Sequence, residues 1–214
     1  MHNSSGTKLP QKNVFQLNNY QVFQKNRNGT GGGLLTAVYP SLNPILISTQ
    51  NEEAELLTVQ VVVNKRKIRL INGYGPQEDD HSQNKLNFWM GLDQEVLSAI
   101  SESCMVLIQM DANAKVGREI ISSDPNNVTD GNGRQMLDLI ERHGLKLLNS
   151  DRMCKGAITR CRVTKKCTEL AILDYIIVCQ ELYEFFQQMF IDEERSYTLT
   201  KFATTKGNQK KVLK

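Results

Sequence analysis

The stretch Cys104–Gly117, CMVLIQMDANAKVG, sets a carboxylate and an amide, Asp111 and Asn113, directly behind an apolar run. Met105, Val106, Leu107, Ile108 and Met110 have the composition of a strand buried on both faces. At the tip of such a strand Asp111 can orient a water molecule or take its proton, and Asn113 can bond that water or a phosphate oxygen. The same spacing suits an Asx turn, because Asp and Asn readily satisfy backbone groups in turns. Asp174 lies inside the apolar run ILDYIIV (Ile172–Val178), where a buried carboxylate needs a partner or a large rise in pKa. It also reads as a solvent-facing residue of an edge strand. Tyr74, in NGYGPQ (Asn72–Gln77), reads on its own as an aromatic packed on a turn.

The pattern around these residues predicts the elements that would hold them. Strands are expected over Leu17–Phe23, Leu34–Tyr39, Ile45–Ser48, Leu56–Val63 and Ile68–Tyr74, with a polar hairpin turn at Asn64–Lys67. The cluster NRNGTGGG (Asn26–Gly33) reads as a tight turn and not as a phosphate loop, since no Gly-Lys-Ser/Thr follows. A helix is expected over Ser82–Ser101, with Leu86, Trp89, Met90, Val96, Leu97 and Ile100 near one face and Asp79, Asp80 and Ser82 offering caps and first-turn acids. After a loop over Asn126–Gly133, a second helix runs Gly133–His143, with Met136, Leu137 and Ile140 inward and Gly144 as its stop.

Further strands are expected at Leu145–Leu148, Ala157–Val163, Ala171–Cys179, Met189–Asp192 and Tyr197–Thr200, with a short helix at Glu181–Gln188 and a frayed basic tail at Thr204–Lys214. Strands dominate without strict strand–helix alternation. Two packed sheets with helices outside therefore fit better than a doubly wound parallel sheet. Neither a repeat nor a linker interrupts residues 1–214, so one domain is expected.

Composition narrows the class. The chain has 214 residues, 40% hydrophobic and 23% charged, as a globular protein does, and a net charge of +3 that permits a nucleic-acid partner without requiring one. Its basic residues cluster at Lys65–Lys67, at Arg160, Arg162, Lys165 and Lys166, and at Lys206, Lys210, Lys211 and Lys214. The five cysteines lack zinc-site spacing and point to a reducing compartment, nucleus or cytoplasm, with Cys104 and Cys179 as buried thiols. There is no apolar run of membrane-spanning length and no secretory signal.

Taken as an ordered set, six segments resemble the endonuclease/exonuclease/phosphatase superfamily, the fold of the apurinic endonucleases and DNase I, and above all the endonuclease domain of non-LTR (LINE-type) retrotransposons. They are GGGLLTAV (Gly31–Val38), NGYGPQ, MDANAKVG (Met110–Gly117), NGRQMLDLIERHGLKLLN (Asn132–Asn149), ITR (Ile158–Arg160) and ILDYIIV. The resemblance implies a four-layer α/β sandwich, two mostly antiparallel sheets flanked by helices. It implies phosphodiester cleavage dependent on Mg²⁺ or Mn²⁺, DNA as substrate, and the reverse-transcriptase domain of a parent element as partner. On that resemblance Asp111 positions or deprotonates the attacking water, Asn113 holds water and scissile phosphate, Tyr74 bonds a phosphate oxygen, and Asp174 orients a catalytic histidine. Thr159 and Arg160 fall in the substrate-contacting loop.

The departures carry expectations too. The family's metal-binding Glu falls on Gly6, in Gly6-Thr7-Lys8-Leu9. No Ser-Asp-His is present, and His2, His81 and His143 fit none of the family's motifs. The resemblance thus implies a domain incomplete at both ends, weak metal binding and impaired catalysis. The alternatives are a non-catalytic nucleic-acid-binding remnant and a small-substrate phosphatase of the same fold.

Overall fold

The structure, a computed structural model, describes residues 15–26, 33–49, 51–163 and 167–193 and the backbone of 201–202. Gly6, the strand expected at 197–200, the tail from Thr204 and most of the glycine cluster lie outside the described residues. Strands β1 (Gln21–Lys25) and β2 (Leu34–Val38) pair antiparallel, and β3 (Ile45–Ile47), β4 (Leu56–Val63) and β5 (Arg66–Tyr74) follow. Helix α1 (Ser82–Ser101) leads into β6 (Met105–Asp111), and helix α2 (Gly131–Arg142) into β7 (Lys146–Leu147). The remaining elements are β8 (Cys154–Lys155), β9 (Arg160–Val163), β10 (Thr168–Ala171), β11 (Asp174–Val178), α3 (Gln180–Tyr183), β12 (Met189–Phe190) and β13 (Lys201–Phe202).

Six strands form the main sheet in the order β3-β4-β5-β6-β11-β7. All neighbours are antiparallel except β5 and β6, which α1 connects as a crossover. At the β4–β5 turn Asn64 (φ 50°) and Lys65 (φ 64°) are both left-handed, the geometry that matches the twist of a two-residue hairpin.

Alternation sorts each strand between two cores. Leu56, Ile71, Val106, Ile108, Met110, Tyr175 and Ile177 pack under α1 and α2 with Phe88, Trp89, Leu92, Val96, Met136 and Leu139. On the opposite face Val59 and Val61 meet Val38 and Phe23 of the β1–β2 pair. There too Ile176 and Val178 meet Leu182, Met189 and Ile191. The result is the expected α/β sandwich, packed and mostly antiparallel sheets with helices outside.

Helix α1 has the expected bounds but presents a different face. Phe88, Trp89, Gly91, Leu92, Glu95, Val96 and Ala99 are buried, whereas Leu86, Met90, Leu97 and Ile100 are about half exposed. Small residues decide this. Gly91 lies against Ala54, where even a Cβ would sit 3.0 Å from the Ala54 Cβ, so this side of the helix packs closely on the segment that leads into β4. Glu95 is buried there because its carboxylate accepts the Thr58 hydroxyl at 2.9 Å.

The expected caps also differ. His81 is the N-cap without a side-chain bond, and no acid stands in the first turn, Ser82-Gln83-Asn84-Lys85; Asp80 lies before the cap and accepts the Gln77 N–H at 2.7 Å. Helix α2 begins at Gly131, two residues earlier than expected, and Asp130 caps it by accepting from the Gly133 N–H at 2.7 Å.

The single strand expected over Ala171–Cys179 is broken at Ile172–Leu173. There the chain leaves the β9–β10 hairpin and enters the main sheet, its carbonyls taken by Tyr175 Oη and the Ala112 N–H. Asp174 becomes the first residue of β11, beside β6, and is no solvent-facing edge residue.

Candidate active site

Register brings three of the candidate residues into one row. Tyr74 on β5 is paired with Asp111 on β6, and Asp111 with Asp174 on β11. Residues in register on adjacent strands point to the same face. Their neighbours Gly73, Met110 and Tyr175 face the helices, so the row faces the other layer. There it lines a cleft of about 280 Å³, roofed by Gly33, Leu34 and Leu35 and bounded by Met189 and Ile191. Thr159 lines the same cleft.

The two carboxylates face each other in a poorly solvated place. Burial raises the pKa of Asp174 to about 6, the charge of Asp111 adds to the rise, and a hydrogen bond from Thr159 opposes it. Burial likewise raises Asp111, opposed by the Asn113 N–H and the charge of Arg160. Thr159 is tied into the backbone of the same acid: its Oγ1 accepts the Leu173 and Asp174 N–H groups at 2.8 and 3.1 Å. Arg160 is exposed at the start of β9 and does not line the cleft.

Asn113 has a different place. The Asp111 Oδ1 accepts its N–H at 3.1 Å, so the Asx turn is real and coexists with a carboxylate facing the cleft. Its φ is 45°, and its side-chain amide donates to the Gly75 carbonyl at 2.8 Å, outside the lining of the cleft. That bond joins the Asp111 loop to the Tyr74 loop. Gly75 permits the approach: a Cβ there would lie 2.4 Å from the Ala112 carbonyl oxygen.

Buried Asn132 completes the junction. It accepts the Trp89 indole N–H at 3.2 Å and donates to Pro76 O at 2.8 Å and Asn113 O at 3.2 Å. One side chain thus ties α1 to both loops.

Sequence reasoning passed over two groups beside the row. Asn149 lines the cleft and bonds the backbone of β11 on either side of Tyr175. Glu52, Glu53, Glu55 and Asp80 line an adjoining cavity of about 430 Å³ that shares Gly33, Leu34 and Tyr74 with the cleft. The acidic run Glu52-Glu53 next to Glu55, just before β4, is the signal that was legible for the second; Asn149 closes the segment Asn132–Asn149, but nothing local showed its role.

Among the described residues no three His, Cys, Asp or Glu side chains come together as a metal cage. The acids of the cleft itself are two, Asp111 and Asp174. Neither described histidine stands there: His81 caps α1, and His143 bonds Asp93 at 2.8 Å between the helices. No helix among the described residues is long and apolar enough to cross a membrane.

No protein-family model and no curated protein sequence matches the chain. Solved structures do. The endonuclease domain of TRAS1, a telomere-specific non-LTR retrotransposon, is 17% identical, with a TM-score of 0.63 over 91% of this chain and 83% of that one. The 3′-5′ exonuclease NExo from Neisseria meningitidis is 14% identical, with a TM-score of 0.59 over 82% of this chain and 73% of that one. The AP endonuclease LMAP from Leishmania major is 12% identical, with a TM-score of 0.60 over 86% and 69%. The chain therefore has the DNase I-like fold that these nucleases share.

Proposed function

We propose that this chain is a phosphodiesterase acting on DNA, of the retroelement-endonuclease kind, with a divalent cation, Mg²⁺ or Mn²⁺, as cofactor. The row Tyr74–Asp111–Asp174 carries the reading. Two facing carboxylates repel a phosphodiester unless a cation stands with them, and Mg²⁺ is commonly held by one or two carboxylates with water and substrate phosphate making up the rest. The donor set therefore fits a weak cation site. Asp111 and Asp174 would hold the ion, which when bound supplies charge neutralisation at the phosphate.

The chain's own groups do the remaining work. Asp111 takes the proton of the attacking water as the water oxygen bonds phosphorus and the bond to the leaving oxygen breaks. Tyr74 donates its phenol to a non-bridging oxygen. Thr159 holds Asp174 in place, and Arg160 contributes positive charge at the rim. Asn113 acts through the loop junction and keeps Asp111 and Tyr74 in register. No described histidine stands at Asp174, so the leaving oxygen would take its proton from solvent, and cleavage is expected to be slow. A reverse-transcriptase domain of the same element is the partner this origin implies. Support for the retroelement branch comes from the ordered motifs together with the likeness to the TRAS1 endonuclease domain.

A second reading, a non-catalytic DNA-binding module, is favoured by the lack of a three-ligand cage among the described residues. Nicking of supercoiled plasmid separates the two. Nicking is expected with Mg²⁺ and not with EDTA, and Asp111→Ala should reduce it at least 100-fold. Salt-sensitive DNA binding without Mg²⁺-dependent nicking favours the second reading, and nicking that survives in Asp111→Ala removes the first.

A further inference from the structure

β11 pairs with β6 along its whole length, Asp174 to Val178. Its other edge is covered by β7 only at Ile177 and Val178. Beyond them the chain turns away through a 3-10 helix over Leu148–Ser150, and among the described residues no strand pairs with Asp174 on that edge. A side chain takes over the ladder. Asn149 Nδ2 donates to the Asp174 carbonyl at 3.0 Å, and Asn149 Oδ1 accepts the Ile176 N–H at 3.0 Å. A carboxamide offers one donor and one acceptor in a plane, as a peptide group does. Asn149 is buried, at 7% exposure; its bond to the Ile176 N–H is shielded from water, and its bond to the Asp174 carbonyl is half-buried at the edge of the cleft.

We infer that Asn149 is a positioning residue for Asp174: its amide stands in for the missing strand and holds the backbone that aims the Asp174 carboxylate at Asp111. The inference rests on the reading of Asp174 as part of the reactive row. Asp at this position would set an acceptor against the Asp174 carbonyl, and Ala would leave both backbone groups without partners.

Three readouts test it, and two need no activity. In the wild-type protein the Ile176 amide should exchange with D₂O as slowly as the Ile177 amide, which the sheet protects; fast exchange at Ile176 overturns the inference. In Asn149→Ala, checked for folding by its amide spectrum, the Asp174 carboxyl ¹³C resonance should move while that of Asp93, on the far side of the sheet, stays. An unmoved Asp174 resonance in a folded variant overturns the inference. Where the wild type nicks plasmid, Asn149→Ala should lower kcat about 10- to 100-fold with KM nearly unchanged, and should add nothing in an Asp174→Ala background. Additive losses would show Asn149 acting elsewhere. A wild type that does not nick counts against the functional reading alone, since the exchange and resonance readouts still decide on Asn149.

Discussion

At Asp174 the balance between burial and charge has a measurable consequence. In the metal-free protein its pKa is raised from the ordinary carboxylate range, near 3.9, to about 6. Below the lower value both folded and unfolded chains carry the proton, and nothing is lost. Between the two the native state binds more protons than the unfolded one, so stability falls as pH rises, and above about 6 the full penalty applies. Asp174→Asn should therefore raise the urea stability at pH 8, in EDTA, by roughly 2–3 kcal/mol, with the gain shrinking toward zero near pH 4. A gain that grows on acidification would mean that the carboxyl is held in its charged form. Sequence reading located this acid and its need for a partner, because a carboxylate inside an apolar run is an anomaly that composition exposes. It could not supply Asp111 as the facing group, since 63 positions separate them and only the β6–β11 register joins them.

Elements show where patterning misleads. α1 was legible in its bounds, yet its apolar count favoured Leu86, Met90, Leu97 and Ile100, which the fold leaves half exposed. Glycine, alanine and a bonded glutamate carry no hydrophobic signal, but they let the helix lie close to the sheet, and close packing decides the face. Leu92→Ala should cost roughly 2–5 kcal/mol, while Leu97→Gln should stay within about 0.5 kcal/mol, both read from denaturant midpoints. Equal losses would reverse the assignment. The loop junction is an element-scale device as well. Asn132→Ala removes the acceptor of the Trp89 indole and the donor to Pro76 and Asn113. It should destabilise by roughly 2–4 kcal/mol and depress nicking beyond what the loss of fold explains.

Across the whole molecule the charge is uneven where the net value of +3 is bland. Glu52, Glu53, Glu55 and Asp80 line the cavity on the Tyr74 side of the row, whereas Arg160 and Arg162 lie on the β9–β10 hairpin that follows Thr159. On the proposed function, a polyanion would approach from the hairpin side. Arg160→Ala should weaken DNA binding across sequences and lower the slope of log K against log salt by about 1. An unchanged slope would place the phosphate path elsewhere. The exposed apolar residues of α1 and, on the edge strand β3, Ile45 and Leu46 are the surfaces to watch for self-association.

Local pattern alone determined the strands β2 to β6, both long helices, the α/β class and the candidacy of Asp111 and Asp174, because alternation, helical period and an acid amid apolar residues are properties of neighbours along the chain; Tyr74 was singled out only through the family resemblance of the ordered motifs. What only the tertiary structure decided is who faces whom. The shared row, the turning of Asn113 onto Gly75, the exposure of Arg160, the face of α1 and the part of Asn149 all depend on register and close approach between distant segments. Those are set by the packing of the whole chain, and no window of sequence contains them.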